Sequence, residues 1–96
     1  MKQYFVYILE CSDGSYYTGI SGNLEQRLIQ HDEGRYPDCY TFSRRPLKLV
    51  FQQEFNDVVQ AIAFEKQVKG WSRKKKQAII SGQWELLPEL AKSKKS

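Results

Sequence analysis

Tyr4 to Glu10 is a β-branched and aromatic run, and after Ser12-Asp13-Gly14-Ser15 a second such run extends from Tyr16 to Ile20. Two runs of this composition separated by turn residues predict a β-hairpin. A two-residue Asp13-Gly14 turn pairs Glu10 with Tyr17. A three-residue Ser12-Asp13-Gly14 loop, with Gly14 left-handed in a bulge, pairs Leu9 with Tyr17 and Tyr7 with Gly19. The loop sequence permits both registers, and only the second puts Tyr7 and Tyr17 on one face.

Helical spacing begins with Leu24 and Leu28, behind Asn23 as N-cap with Gln26 three residues later, and Gly34 predicts the end of this first helix. Residues 35 to 46 read as a loop holding Arg35, Tyr36, Pro37, Tyr40, Phe42, Arg44, Arg45 and Pro46. Leu47, Leu49 and Phe51 then alternate as a third strand. A second helix follows Asn56 or Asp57 and stops at Gly70; at about 100° per residue, Val58, Ala61, Ile62 and Val68 form its apolar stripe, and Glu65 falls inside it. Trp71 leads to a third helix, capped by Ser72 and ended near Gly82, and a short segment around Pro88 precedes a lysine-rich end. The order predicts an α+β domain with a small, mostly antiparallel sheet, spanning residues 1–88, and a basic tail over 89–96.

The chain has 96 residues, room for one core, and its two Trp, six Tyr and five Phe supply enough apolar area to stabilise it without a disulfide or structural metal. Cys11 and Cys39, with a single histidine elsewhere, do not have zinc-site spacing and read as free thiols of a reducing, cytoplasmic compartment. No apolar run is long enough to span a membrane. The net charge of +4 divides unevenly: residues 1–65 hold six Lys/Arg against nine Asp/Glu, and residues 66–96 hold nine against two. That basic half suits a polyanion as partner.

A carboxylate on an apolar stripe needs a cation, hydrogen-bond donors or a metal, so Glu65 marks either a structural ion pair or a site. On the first helix Arg27 and His31 are one turn apart, and both lean toward the sheet. An arginine lying across the core edge beside a satisfied histidine is the ordinary outcome for such a pair. Convergence changes the weighing: Tyr7 and Tyr17 from the hairpin, Arg27 and His31, and Glu65 can all point into one cleft. Together they have the parts for phosphodiester cleavage. A phenol or imidazole can take a proton from water, a guanidinium can neutralise charge on pentacoordinate phosphorus, and a carboxylate can hold a hard divalent ion at the leaving oxygen. A phenol near its reference pKa of ~10 is a poor base, so the scheme needs a cation or metal to lower it.

Phe5-Val6-Tyr7, Tyr17-Thr18-Gly19, Arg27, His31 and Glu65 resemble, in order and spacing, the signature of the GIY-YIG nuclease family. Asn23 to His31 is similar to the corresponding helix of the Slx-type structure-specific nucleases, and the length resembles the small bacterial YazA/YhbQ-like members. The resemblance covers roughly residues 4–76 and implies a three-stranded antiparallel sheet flanked by helices. It implies that Tyr7 and Tyr17 are the motif tyrosines, one accepting a proton or orienting water. Arg27 is then the transition-state stabiliser, His31 a helper, and Glu65 the ligand for one Mg²⁺ or Mn²⁺, weakly held without substrate. The chain departs from the pattern at Phe5, where the family has glycine, and at Thr18, where it has isoleucine. Ile20 stands where some repair-type members carry a lysine, which removes one candidate for lowering a tyrosine pKa.

Arg73, Lys74, Lys75 and Lys76 occupy the first turn of the third helix, where the macrodipole disfavours cations and where such a cluster makes a phosphate seat. Lys69, four residues after Glu65, either pairs with it or contacts phosphate. Arg35, Arg44 and Arg45, with Tyr40 and Phe42, can stack unpaired bases or pin the loop to the core. The implied activity is a metal-dependent DNA endonuclease, with branched or single-stranded structures in repair or recombination as its expected setting. The competing readings are a non-catalytic nucleic-acid-binding module with the same fold, and a subunit whose targeting comes from a protein partner.

Overall fold

The run from Val6 to Leu9 shows no alternation of apolar and polar residues because it lies in the middle of the sheet. In the computed structural model, which describes residues 3–35 and 39–83, β1 (Tyr4–Glu10) pairs antiparallel with β2 (Tyr16–Ser21) and with β3 (Lys48–Phe55), giving the order β2-β1-β3. Helices cover both faces, so Val6, Tyr7, Ile8 and Leu9 are all at most 1% exposed. Side chains of this size contribute on the order of 1.5–3 kcal/mol each when buried, so this strand is the main source of core area.

The hairpin adopts the three-residue loop. Cys11 N–H donates to Ser15 O (2.8 Å), Gly14 sits at φ +84°, and the register pairs Leu9 with Tyr17 and Tyr7 with Gly19. The left-handed conformation at Gly14 is open to glycine at no steric cost, which is why this loop and not the two-residue turn fits the strand twist. Gly19 has a different role. A Cβ built on it would meet Cζ and Oη of Tyr7 at 2.5 Å, so the absent side chain is where the Tyr7 ring rests.

The alternation expected in the third strand breaks at a β-bulge. Ile8 pairs with Phe51 but Leu9 pairs with Leu49, leaving Val50 as the extra residue. Leu47 and Leu49 therefore stay on one face with Tyr7, Leu9, Leu24 and Leu28, while Phe51 turns to the other face with Ile8, Phe64, Val68 and Ile79. The first face is covered by α1 (Leu24–Glu33), capped by the Asn23 side chain accepting from Gln26 N–H and ended by Gly34 at φ +69°. The second is covered by α2 (Val58–Lys69), capped by Asp57, and by α3 (Arg73–Ile80), capped by Ser72.

On α2 the buried stripe is Ala61, Glu65 and Val68, whereas Val58 and Ile62 are 39% and 41% exposed. The expected stripe was too wide: positions at i, i+4 and i+7 share a face, and Val58 and Ile62 flank it. Between α1 and β3, a 3₁₀ turn at Phe42–Arg44 is tied to the hairpin loop by Ser12 N–H donating to Arg44 O (2.8 Å) and by Arg44 pairing with Asp13 (3.0 Å). No helix among the described residues is long and apolar enough to cross a membrane. The segment around Pro88 and the boundary between residues 1–88 and 89–96 lie outside the described residues.

The seat of Tyr7 on Gly19 can be tested directly. Gly19→Ala should overpack this contact and cost about 1–3 kcal/mol, read as a lower urea midpoint with an unchanged m value. A neutral substitution would show that the Tyr7 ring does not rest there.

Candidate active site

Because Tyr7 and Tyr17 share a face through the hairpin register, their rings lie together, with centroids 6.4 Å apart. His31, in the last turn of α1, closes the group edge-on, 6.1 Å from the Tyr7 ring and 5.3 Å from the Tyr17 ring. The histidine is 3% exposed and hydrogen-bonded at both nitrogens: Nε2 to Tyr7 Oη at 3.1 Å, and Nδ1 to Thr41 Oγ1 at 2.9 Å. Thr41, 1% exposed, donates its single hydroxyl proton to Cys39 Sγ at 3.4 Å. Its oxygen must then accept from His31 Nδ1–H, which leaves Nε2 with a lone pair and makes Tyr7 the donor. The proton order is Tyr7 to His31 to Thr41 to Cys39. Tyr17 also hydrogen-bonds Cys39, so both phenols connect to this thiol.

The electrostatics follow from burial. Burial pushes the Tyr7 phenol well above the usual range, with the Tyr17 phenol adding to the effect and the nearby Arg27 charge only partly opposing it. Tyr17 is also raised, chiefly by burial. Neither phenol is a phenolate near neutrality in this arrangement. Burial and Arg27 both lower the His31 pKa, so its imidazole is neutral. Burial also raises the Cys39 thiol, but hydrogen bonds from Thr41 and Tyr17 and the Arg27 charge outweigh it and leave its pKa below the ordinary value. One guanidinium is thus felt by every member of the group.

Glu65 reaches the same region from the opposite layer, close enough that its charge raises both phenols. It does not face them across open water. The residue is 8% exposed, and its carboxylate is paired with Lys69 Nζ at 2.6 Å, one helical turn on. The ammonium compensates a carboxylate whose burial would otherwise be costly. As a metal ligand Glu65 offers a hard oxygen suited to Mg²⁺ or Mn²⁺, but no group of three or more His, Cys, Asp or Glu stands together among the described residues. The donor set therefore fits an ion that shares Glu65 with water and substrate oxygens, not one caged by protein.

The arginines and lysines separate into two groups. Arg35 is held by Glu33 at 3.1 Å, and Arg45 lies over Phe42 while donating to Phe42 O and Asp32 O. Arg44 stacks on Tyr40 at 3.9 Å, and Tyr40 stacks on Tyr17 with centroids 6.2 Å apart, so the loop is pinned to the site while Tyr40 itself stays 42% exposed. On α3, Arg73 lies over the Tyr16 ring at 4.5 Å and Lys75 over Trp71 at 4.9 Å, while Lys74 is exposed. Lys69 and Lys76 line a groove with Tyr16, Tyr17, Thr18 and Tyr40. Thr41 and Cys39 were not legible as site residues, because a loop has no periodicity to say which side chains turn inward.

The family model of the GIY-YIG catalytic domain matches residues 3–78. A UPF0213 protein of Staphylococcus saprophyticus is 41% identical over 81 residues, covering 84% of this chain and 98% of that one. Another, of Syntrophus aciditrophicus, is 44% identical over 80 residues, covering 83% and 92%. The solution structure of a UPF0213 protein from Bacillus halodurans is similar with a TM-score of 0.55 and 39% identity, over 82% of this chain and 83% of that one. A protein structure from E. faecalis is similar with a TM-score of 0.61 and 29% identity, over 84% and 85%. With the motif tyrosines on one face of the expected three-stranded sheet, and a family match over nearly all the described residues, the chain belongs to the GIY-YIG nuclease family.

Proposed function

We propose that the chain is a metal-dependent endonuclease that hydrolyses DNA phosphodiesters, acting on branched or single-stranded structures in repair or recombination. The observation that carries this reading is the convergence of Tyr7, Tyr17, Arg27 and His31, with Tyr7 hydrogen-bonded to His31 at 3.1 Å. The free thiols of Cys11 and Cys39 fit a reducing compartment, the cytoplasm.

His31 Nε2 is the basic atom of the set, neutral and already accepting from Tyr7, so a proton leaving the attacking water passes to it by way of the phenol. Tyr17 is only half-buried and lines the groove, so it is the phenol placed to orient that water. Arg27 neutralises the charge gathering on the phosphorus oxygens as one P–O bond forms and the other breaks. Thr41 holds the imidazole in the tautomer whose Nε2 faces Tyr7. A Mg²⁺ or Mn²⁺ held by Glu65 would supply Lewis-acid stabilisation of the leaving oxygen. An ion at Glu65 would compete with Lys69 for the carboxylate and leave more of the lysine's ammonium for phosphate.

A second reading, a nucleic-acid-binding module without turnover, is favoured by the pairing of the buried Glu65 carboxylate with Lys69 and the raised pKa of both phenols.

Incubating plasmid, single-stranded and branched DNA with Mg²⁺ or Mn²⁺ separates the two. Arg27→Ala should lower cutting ~10² to 10³-fold while keeping most binding, and Glu65→Gln and Tyr17→Phe should also impair it. Tight, salt-sensitive binding with no metal-dependent cutting would establish the second reading.

The histidine tautomer gives an independent check, since the chain has one histidine and its ¹⁵N spectrum is unambiguous. Wild type should show Nδ1–H with an unprotonated Nε2. Thr41→Val should lose that preference and cut about tenfold more slowly, and Thr41→Ser should restore both. Because the folded imidazole titrates below 6.5, the unfolded state takes the proton first as pH falls, so stability should drop below about pH 6.5. An unchanged tautomer in Thr41→Val would remove Thr41 from the mechanism.

A further inference from the structure

β2 is an edge strand, and the groove along it holds two features that a finished protein interior rarely keeps. Its volume is about 290 Å³, and Lys76 in its wall is half-buried. Among the described residues Lys76 has no carboxylate in ion-pair distance, and burial alone lowers its pKa. Thr18, also in the wall, is 4% exposed, and its Oγ1 has no hydrogen-bond partner among the described residues. A desolvated ammonium and an unpaired buried hydroxyl each cost stability, and valine would fill the Thr18 position without that cost. Both penalties are relieved by the same kind of ligand.

An anion suits both. The polar groups of the groove that lack a partner can all donate: the Lys76 ammonium, the Thr18 hydroxyl, which can also accept, and the N–H groups of Lys69 that its bond to Glu65 leaves over. Lys69 is exposed at the groove while its ammonium holds Glu65, so it joins the groove to the metal-ligating carboxylate. A tetrahedral phosphate offers acceptor oxygens in several directions to donors arriving from β2, α2 and α3, whereas a carboxylate offers two in one plane. Tyr17 lines the same groove, which places this anion beside the reacting group and not at a remote surface.

We propose that Thr18, Lys69 and Lys76 form a subsite on the β2 edge for a backbone phosphate of the nucleic acid, neighbouring the phosphodiester that is cut. The identity of the polymer rests on the nuclease reading, and the anion chemistry rests on the groove itself. Thr18 has a defined part: its hydroxyl is kept at a cost to folding because it donates to the phosphate.

The test uses the full chain with chelator and no divalent ion, so that cutting cannot contribute. Oligothymidylate is the probe, with inorganic phosphate as a parallel arm. The Lys76 side-chain signals and the Thr18 amide should shift on adding the oligonucleotide. Lys76→Gln and Thr18→Val should each weaken its binding about tenfold, and Lys76→Gln should reduce the salt slope by about one. Lys48→Gln, which removes one exposed charge on the other edge strand, should do far less. Thr18→Val should melt at the wild-type temperature or higher. A lower melting temperature would show that the hydroxyl already has a partner inside the fold, and would overturn the proposal. Equal losses from Lys48→Gln and Lys76→Gln would overturn it too, as would a groove that responds to inorganic phosphate and not to the oligonucleotide. Intact metal-free binding in a protein that never cuts DNA would support the subsite while removing the hydrolytic reading.

Discussion

The contact between the Tyr7 ring and the bare backbone of Gly19 is the constraint on which the site depends. Tyr7 stands on a strand covered from both sides, and a phenol there has little room unless the opposing residue gives up its side chain. The hairpin register supplies that opposition, and the left-handed Gly14 sets the register. A shift of one residue would send Tyr7 or Tyr17 to the other face and part them. A backbone choice in an exposed loop therefore determines the chemistry beneath α1.

From that seat the hydrogen bonds run in one direction. Tyr7 gives its proton to His31, His31 to Thr41 and Thr41 to Cys39, and no polar atom along this path is left without a partner. Such a chain stabilises the core whether or not the protein turns over substrate, because a buried imidazole and a buried phenol each need a partner. The catalytic and the structural accounts of His31 are therefore compatible: the bonds that satisfy the imidazole also orient it. Arg44 secures the loop that carries Thr41 and Cys39, bridging Asp13 of the hairpin and the ring of Tyr40.

Glu65 and Lys69 show how burial changes the state of a site residue. The acid lies within the apolar stripe of α2, and the lysine one turn later reaches back to neutralise it. In this state the carboxylate is protected, and the same lysine forms a wall of the β2 groove. A metal at Glu65 would compete with Lys69 for the carboxylate, whereas a phosphate in the groove can use the Lys69 N–H groups that the pair leaves over, so this lysine connects the two positions.

The sequence by itself determined the elements and the family. Asn23, Asp57 and Ser72 cap their helices through side-chain oxygens, Gly34 ends α1 in a left-handed turn, and the order of Tyr7, Tyr17, Arg27, His31 and Glu65 resembles a known signature. These features are local, set by spacing and by the chemistry of single residues. Only the tertiary structure decided which hairpin register is used, where β3 bulges so that Phe51 changes face, and which half of the α2 stripe is buried. It also decided that Thr41 and Cys39 turn inward to His31 and that Lys69 closes over Glu65. Those outcomes depend on what an element packs against, and no periodicity along the chain records its partner across the sheet.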